Sequence, residues 1–458
     1  MFQSIKKMFS SPDLKKKILF TLGMLVVCRV GAFVPVPGIN KDIALTLFQN
    51  ATGGGQNLFQ LMDIFSGGAF SQMTVIALGV MPYISASIIM QLVVALFPSV
   101  QREMKENSEN AKKKIAKWTR LGTLGLALLQ SGLFAKHALQ LNMSHPGIIV
   151  GELLAVNING FPWLFFVTVS FTMATGTVFL MWIGEQITEK GIGNGVSLII
   201  TIGILSSLPS TIGAIIKQLN FESQEPGQMT MSSLIVLLVV FVTITIGTIL
   251  IIQGQRKVPV QYARRMSSRQ GEYENTSYMP LKINYAGVIP VIFAYSLLTF
   301  PATIGQFLGK SSSWLGKVTN ALTPGNWVYV VCYISLIMFF TFFWTATQFN
   351  PEQIASDMKK NGAFIPGVRQ GRPTQDYLES TMNRITLIGG VFLVVIAILP
   401  TIVSAVLGVD ARISHFFGGT SLLILVGVIL DTTKQVESHL LTKRYDGFIK
   451  KQPVRGRF

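Results

Sequence analysis

Two cysteines and four histidines are the residues of this 458-residue chain best suited to hold a metal or to act as nucleophile and base. Their spacing suits neither task. Cys28 and Cys332 lie far apart in apolar stretches, so they offer no disulfide framework and no cysteine metal site, and read as small buried apolar side chains. His137, His145, His415 and His439 show no H-E-x-x-H or other ligand spacing. Carboxylates at mid-membrane depth would mark an ion-coupled transporter or a proton pump. Of the 21 acids none falls at the centre of an apolar stretch, and Glu185 and Asp431 stand at stretch ends. The glycine runs Gly53 to Gly55 and Gly191-Ile192-Gly193-Asn194-Gly195 lack the preceding strand and the following Lys-Ser or Lys-Thr pair of a phosphate loop, and read as turns or linkers. An intramembrane enzyme would have no nucleophile–base pair and no metal set to work with. A solute transporter fits the apolar stretches but lacks the coupling charge. No metal or cofactor is expected.

The elements that position these residues follow from where the apolar side chains lie. Half the residues are hydrophobic and 13% are charged, against about 25% charged in soluble proteins. Crossing about 30 Å of hydrocarbon takes about 20 helical residues, and ten stretches approach or exceed that. They run Ile18 to Val34, Phe70 to Phe97, Leu121 to Leu141, Pro162 to Ile183, Val196 to Ile216, Leu234 to Ile252, Ile283 to Leu308, Trp327 to Ala346, Ile385 to Val406 and Ile413 to Leu430. An all-α membrane protein is expected. The first stretch is short and holds Arg29, and the tenth holds His415; dropping one span would put the termini on opposite sides.

The net charge of +17 comes from 38 Lys and Arg. With both termini on the cytoplasmic side, 31 of the 38 fall in inside segments, and the other 7 are Arg29, Lys41, Lys136, Lys217, Lys310, Lys317 and Arg412. Positive loops stay cytoplasmic, so an even span count follows. The first apolar stretch ends in Phe33-Val34-Pro35-Val36-Pro37-Gly38 rather than at a small-x-small cleavage site, which reads as an uncleaved anchor. Between the first two stretches, Asn57 to Ser66 is amphipathic, too short to span, and flanked by Gly53 to Gly55 and Gly67-Gly68. Such a helix can swing on its glycines or lie flat on the membrane surface.

Eight blocks carry a resemblance: Arg29-Val-Gly-Ala-Phe-Val-Pro-Val-Pro-Gly38, Leu78-Gly-Val-Met-Pro-Tyr-Ile-Ser-Ala-Ser-Ile-Ile-Met-Gln91, Gly184-Glu-Gln-Ile-Thr-Glu-Lys-Gly-Ile-Gly-Asn-Gly195, Gly254-Gln-Arg-Lys-Val-Pro-Val-Gln-Tyr-Ala263, Asn284-Tyr-Ala-Gly-Val-Ile-Pro290, Asn350-Pro-Glu-Gln-Ile-Ala355, Phe364-Ile-Pro-Gly-Val-Arg369 and Gly418-Gly-Thr-Ser-Leu-Leu-Ile424. In this order and spacing the chain resembles the bacterial SecY family, the large channel subunits of the Sec protein translocase. Gln370 departs from the family's usual Pro, which bears on the turn after Arg369.

The resemblance implies ten transmembrane helices in two pseudo-symmetric five-helix halves around an hourglass pore: 1–216 with a plug at about 57–67, an external hinge 217–230, 231–430 with cytoplasmic loops at about 253–283 and 347–384, and a cytoplasmic tail 431–458. It implies a plug built from Leu58, Phe59, Leu61, Met62, Ile64 and Phe65, and a pore ring of Val80, Ile84, Ile200, Ile292 and Ile424. All five ring positions are aliphatic here and lie in apolar stretches. A constriction of that kind blocks ions by dewetting, yet a passing chain can push it aside. The implied lateral gate sets Ser85, Ser87 and Gln91 against Ala294, Thr299 and Phe300, with Gln130 nearby; polar groups at a seam in lipid need partners.

Arg256, Lys257, Arg264, Arg265 and Arg269 read as part of a hairpin of extended segments. Lys359, Lys360, Arg369 and Arg372 follow a helix opened by Asn350-Pro351-Glu352. By resemblance these loops dock the SecA ATPase or ribosomal RNA, with Arg369 the coupling residue. The implied partners are SecE, SecG, SecA, the ribosome, signal peptides, nascent or preprotein chains and membrane lipid. The implied location is the bacterial cytoplasmic membrane.

Overall fold

Backbone groups inside hydrocarbon have no water to bond, so long apolar stretches close their hydrogen bonds within helices. The computed structural model is accordingly built mostly of helix, and describes residues 12–51, 58–97, 99–100, 103, 108–151, 162–218, 230–262, 277–308, 317, 321–323, 326–407, 413, 416–417 and 419–450. Helices α1 (Pro12–Gly31), α2 (Lys41–Ala51), α3 (Leu58–Ser66), α4 (Met81–Leu96), α5 (Ser108–Ser144), α6 (Trp163–Lys190), α7 (Gly195–Ser206), α8 (Leu208–Gln218) and α9 (Met231–Gln253) lead to strands β1 (Gln255–Tyr262) and β2 (Ser277–Lys282). Then follow α10 (Ile289–Leu308), α11 (Trp327–Gln348), α12 (Pro351–Lys360), β3 (Ala363–Phe364), α13 (Arg372–Leu407) and α14 (Thr420–Lys450). Among the described residues five helical runs are long and apolar enough to cross a membrane: Trp163–Lys190, Gly195–Ile216, Met231–Gln253, Trp327–Lys360 and Arg372–Val403. Met81–Leu96 and Ile289–Ala302 are apolar but shorter.

Two stretches depart from expectation. The second was expected as one span from Phe70 to Phe97, but helix begins only at Met81. Gly67, Gly68, Met73 and Gly79 all have positive φ, which interrupts any helix. The turns between them bond to the segment after α1, with Val36 N–H donating to Met73 O at 3.1 Å and Val75 N–H to Val34 O at 3.0 Å. Irregular backbone at membrane depth survives where protein buries it or a cavity lies beside it, and Ala77 to Val80 flank a cavity described below. The fifth keeps its expected extent as one helical run, Gly195–Ile216, and departs only in a one-residue turn at Ser207 between α7 and α8, two residues before Pro209, which has no N–H to return to the preceding turn.

Helices α1, α4, α5, α6 and α7 pack on one another, as do α9, α13 and α14, and α10 with α11 and α11 with α13. These two sets meet where α10 packs on α4 and α5, and where α7 packs on α14. One large apolar core runs through both, from Leu25 and Cys28 of α1 to Leu422 and Ile424 of α14. A separate small core of Val258, Leu281, Phe349, Ile365, Leu378, Met382 and Ile385 unites the hairpin with the segment around α12. There the sheet order is β2-β1-β3, all antiparallel, with Arg256 opposite Leu281 and Tyr262 opposite Ala363. Residues 219–229 of the expected hinge, together with Arg264, Arg265, Arg269 and His415, lie outside the described residues.

Candidate functional site

The expected ring residues come from four helices. Val80 precedes α4 and Ile84 follows one turn later, where Pro82 in the first turn leaves the helix intact because its missing N–H is not needed there. Ile200 lies on α7, whose start is capped by Asn194 accepting from Ser197 N–H at 3.2 Å. Ile292 lies on α10 and Ile424 on α14. All five belong to the same core, and none is more than 8% exposed.

Val80, Ile84, Ile200 and Ile292 border one narrow cavity. Met62, Phe65 and Ser66 of α3 close it together with Ala77, Leu78, Gly79, Met81 and Tyr295, so among the described residues no charged side chain borders it. Ile424 is fully buried in the core without reaching the cavity wall. Phe65 packs on Tyr295 with ring centroids 4.8 Å apart, and Ile64 enters the same core. Leu58, Phe59 and Leu61 belong to α3, but their side chains lie outside the described set. The short amphipathic segment therefore sits inside the protein, not flat on a surface, and a chamber without charge offers water few partners.

Beside this cavity the α4–α10 seam holds a second small cleft bordered by Met62, Met81, Ser85, Gln130, Ser296, Thr299 and Phe300. A third adds Ile88, Ile89, Leu126 and Leu297. Of the seven expected gate residues, Ser85, Gln130, Thr299 and Phe300 converge here. The others do not. Ser87 and Gln91 pair along α4, with Gln91 Nε2 donating to Ser87 Oγ at 3.2 Å, and Ala294 is fully buried in the core. The Gln130 side-chain carbonyl is buried, with no hydrogen-bond partner among the described residues.

Sequence reasoning missed Ser296 and Met81, whose Oγ and Sδ meet across the seam at 3.8 Å. Ser296 precedes Thr299 and Phe300 by three and four residues, a helical spacing that places all three on one face of α10. That spacing was readable; the partner was not.

The basic residues cluster on the small sheet. Arg256 and Lys257 are exposed on β1, while Val258 and Val260 turn into the core. Asn350 caps α12 by accepting from Gln353 N–H at 3.2 Å, with Pro351 in the first turn. Lys359, Lys360, Arg369 and Arg372 are all exposed. The turn carrying Arg369 is braced on both sides: Thr374 Oγ1 donates to Arg369 O at 2.7 Å, and Gln370 Nε2 donates to Ala363 O at 3.3 Å. The Gln370 amide thus supplies a bond that the family's proline lacks. Elsewhere, Arg120 and Glu185 join α5 to α6 at 2.8 Å, and this hydrogen bond raises the guanidinium pKa further.

A narrow apolar cavity closed on one side by a short helix, with a polar seam beside it, lies among long apolar helices. The SecY family model matches residues 74–433. The protein translocase subunit SecY of Chlamydia trachomatis serovar D is 58% identical over 99% of this chain and 99% of its own. Among solved structures, a protein-conducting channel matches with TM-score 0.58 and 20% identity, covering 92% of this chain and 91% of that one. Sec61 in a canine ribosome-channel complex from the endoplasmic reticulum matches at TM-score 0.56 and 18% identity, with the same coverage. The chain belongs to the SecY family. It is a membrane protein translocase subunit that conducts polypeptides and is not an enzyme.

Proposed function

We propose that Val80, Ile84, Ile200, Ile292 and Ile424 form the seal of this channel, that α3 is its plug, and that the α4–α10 seam is its lateral gate. One observation carries the reading: α3 lies against four of the five aliphatic residues in a cavity that no charged side chain borders among the described residues. The seal and the seam share two helices, since α4 carries Ile84 beside Ser85, and α10 carries Ile292 one turn before Ser296. Parting α4 from α10 therefore widens the constriction and opens a path to lipid in one motion. A hydrophobic signal segment entering the seam gains burial worth about 0.8 kcal/mol per CH₂ and displaces only weak interhelical contacts.

In this reading the pore runs between the halves 1–216 and 231–430, joined by the hinge 217–230. The chain sits in the bacterial cytoplasmic membrane with both termini cytoplasmic, held with SecE and SecG. The sheet-and-α12 platform docks SecA or the ribosome through Arg256, Lys257, Lys359, Lys360, Arg369 and Arg372. Arginine suits both partners because its planar fork pairs with phosphate and carboxylate alike. The exposure of these six side chains on one small core supports the assignment.

The test is uptake into vesicles holding this chain with its partner subunits. ATP-dependent, SecA-stimulated entry of a preprotein is the expected result. Uptake of a labelled small solute, with no preprotein transport, would overturn it.

A further inference from the structure

Arg29, the cation in the first apolar stretch, has no part in the reading above. A guanidinium in a membrane segment is costly and stands where it has a task. Near the end of α1 it donates from Nη1 to Gly67 O at 2.8 Å, while its guanidinium lies 4.9 Å from the Phe33 ring centroid. The Lys41 ammonium lies 5.8 Å from the same ring. Gly67 is the first residue after α3, and its carbonyl lies 3.3 Å from Ser206 Oγ at the end of α7, whose single proton goes mainly to Gly203 O at 2.7 Å and reaches Gly67 O as the weaker branch.

The backbones beneath these bonds touch. A Cβ on Gly67, which has φ +68°, would run into the Ser206 hydroxyl and lie 2.9 Å from the Gly203 carbonyl oxygen. A Cβ on Gly203 would lie 2.7 Å from Phe65 O. Beyond Gly67 the chain is braced in turn, with Ser71 N–H donating to Asp63 Oδ1 at 2.7 Å and Gly68 N–H to Asp63 O at 2.9 Å. The acceptor at the centre is thus a main-chain carbonyl held at a fixed place. A bond from a cation to such an acceptor is about twice as strong as one between neutral groups.

We propose that Arg29, seconded by Ser206, latches the channel shut by holding the Gly67 carbonyl. The closed state then depends on where the backbone after α3 sits, and the side chains of α3 can vary without losing the latch. This rests on the reading of α3 as the plug. Arg29 is a positioning residue here: it touches no substrate and acts through the segment it holds.

Halide efflux from liposomes containing the complete channel complex tests it. R29A is expected to raise efflux about tenfold or more, the range expected for loss of a hydrogen bond to a charged group. R29K, which can reach the same carbonyl, restores most of the seal, and S206A shows a smaller rise. Deleting Leu58 to Ser66 raises efflux on its own, and adding R29A or S206A to that deletion changes nothing more. If the deletion leaves efflux at the parental level, the plug reading fails and the latch with it. If the deletion leaks while R29A and S206A do not, the latch alone is refuted. A further rise from R29A in the deleted chain would place its action elsewhere and refute the latch too.

Discussion

Replacing Ile292 with asparagine puts one amide into the apolar cavity beside α3 without adding side-chain heavy atoms. In the closed arrangement Ile292 is 8% exposed, and its neighbours on the cavity wall include Val80, Ile84, Ile200 and Phe65. Burying an isoleucine contributes about 1.5–3 kcal/mol relative to leaving it in water. Asparagine forfeits that and adds about 1–3 kcal/mol for an amide short of partners. Ser66 Oγ is already engaged with Asp63 O and Phe70 N–H at 3.1 Å each. Tyr295 shares the wall, so the lower end of the range applies. If Ile292 is part of the proposed seal, residue 292 faces water once the channel opens and neither term arises there. The closed state therefore loses about 3 kcal/mol against the open one, roughly a hundredfold shift at 1.4 kcal/mol per factor of ten. Two readouts check it: export of a preprotein whose signal carries a charge in its hydrophobic stretch, and halide efflux from reconstituted vesicles. Both should rise in I292N, and I424N should show the export gain as well. I292V, which removes one methylene and leaves the wall apolar, should change neither by more than a few fold. If I292N inserts normally yet exports the defective substrate no better than the parent and stays tight to halide, the aliphatic seal is not where these residues are.

R369E is expected to abolish SecA-driven uptake while thermal unfolding shifts by no more than about 0.5 kcal/mol, the usual range for an exposed position; normal uptake would remove Arg369 from coupling. V258D puts a carboxylate into the small core shared by the hairpin and the α12 segment, where Val258 is 1% exposed. It should make residues 255–282 and 349–371 sensitive to protease and weaken SecA binding, while the apolar helices stay inserted. S296L fills the seam cleft beside Met81 and Ser85. Crosslinking between α4 and a signal segment should fall with it, and unchanged crosslinking would place signal entry elsewhere. E185Q removes the charge from the Arg120 pair, which is partly exposed at 53% and 22%, and should lower stability by less than about 1 kcal/mol in a melting assay.

Much of the architecture was legible because its signals are local. Caps, prolines and charge act within a turn or two, so Asn350-Pro351 announced α12, and the extended run from Gln255 read as half of a hairpin before β2 was paired with it. The apolar stretches announced their helices for the same reason. The second stretch failed because an apolar run states only that the segment avoids water. Whether Phe70 to Val80 winds into helix depended on the left-handed positions at Gly67, Gly68, Met73 and Gly79, and on carbonyls around Val34 to partner them.

Taken alone, the sequence determined which segments leave water and, through the order and spacing of its motifs, which family the chain belongs to. Tertiary structure alone decided which faces meet. A helix in a membrane protein is apolar toward lipid and toward protein alike, so hydropathy cannot tell the two apart. The placement of Ser296 against Met81 and the reach of Arg29 to Gly67 thirty-eight residues away both rest on that choice. Hydrogen bonds and close backbone contacts act over a few ångströms between segments far apart in the chain, and only the packing of α1, α3, α4, α7 and α10 brings those segments into range.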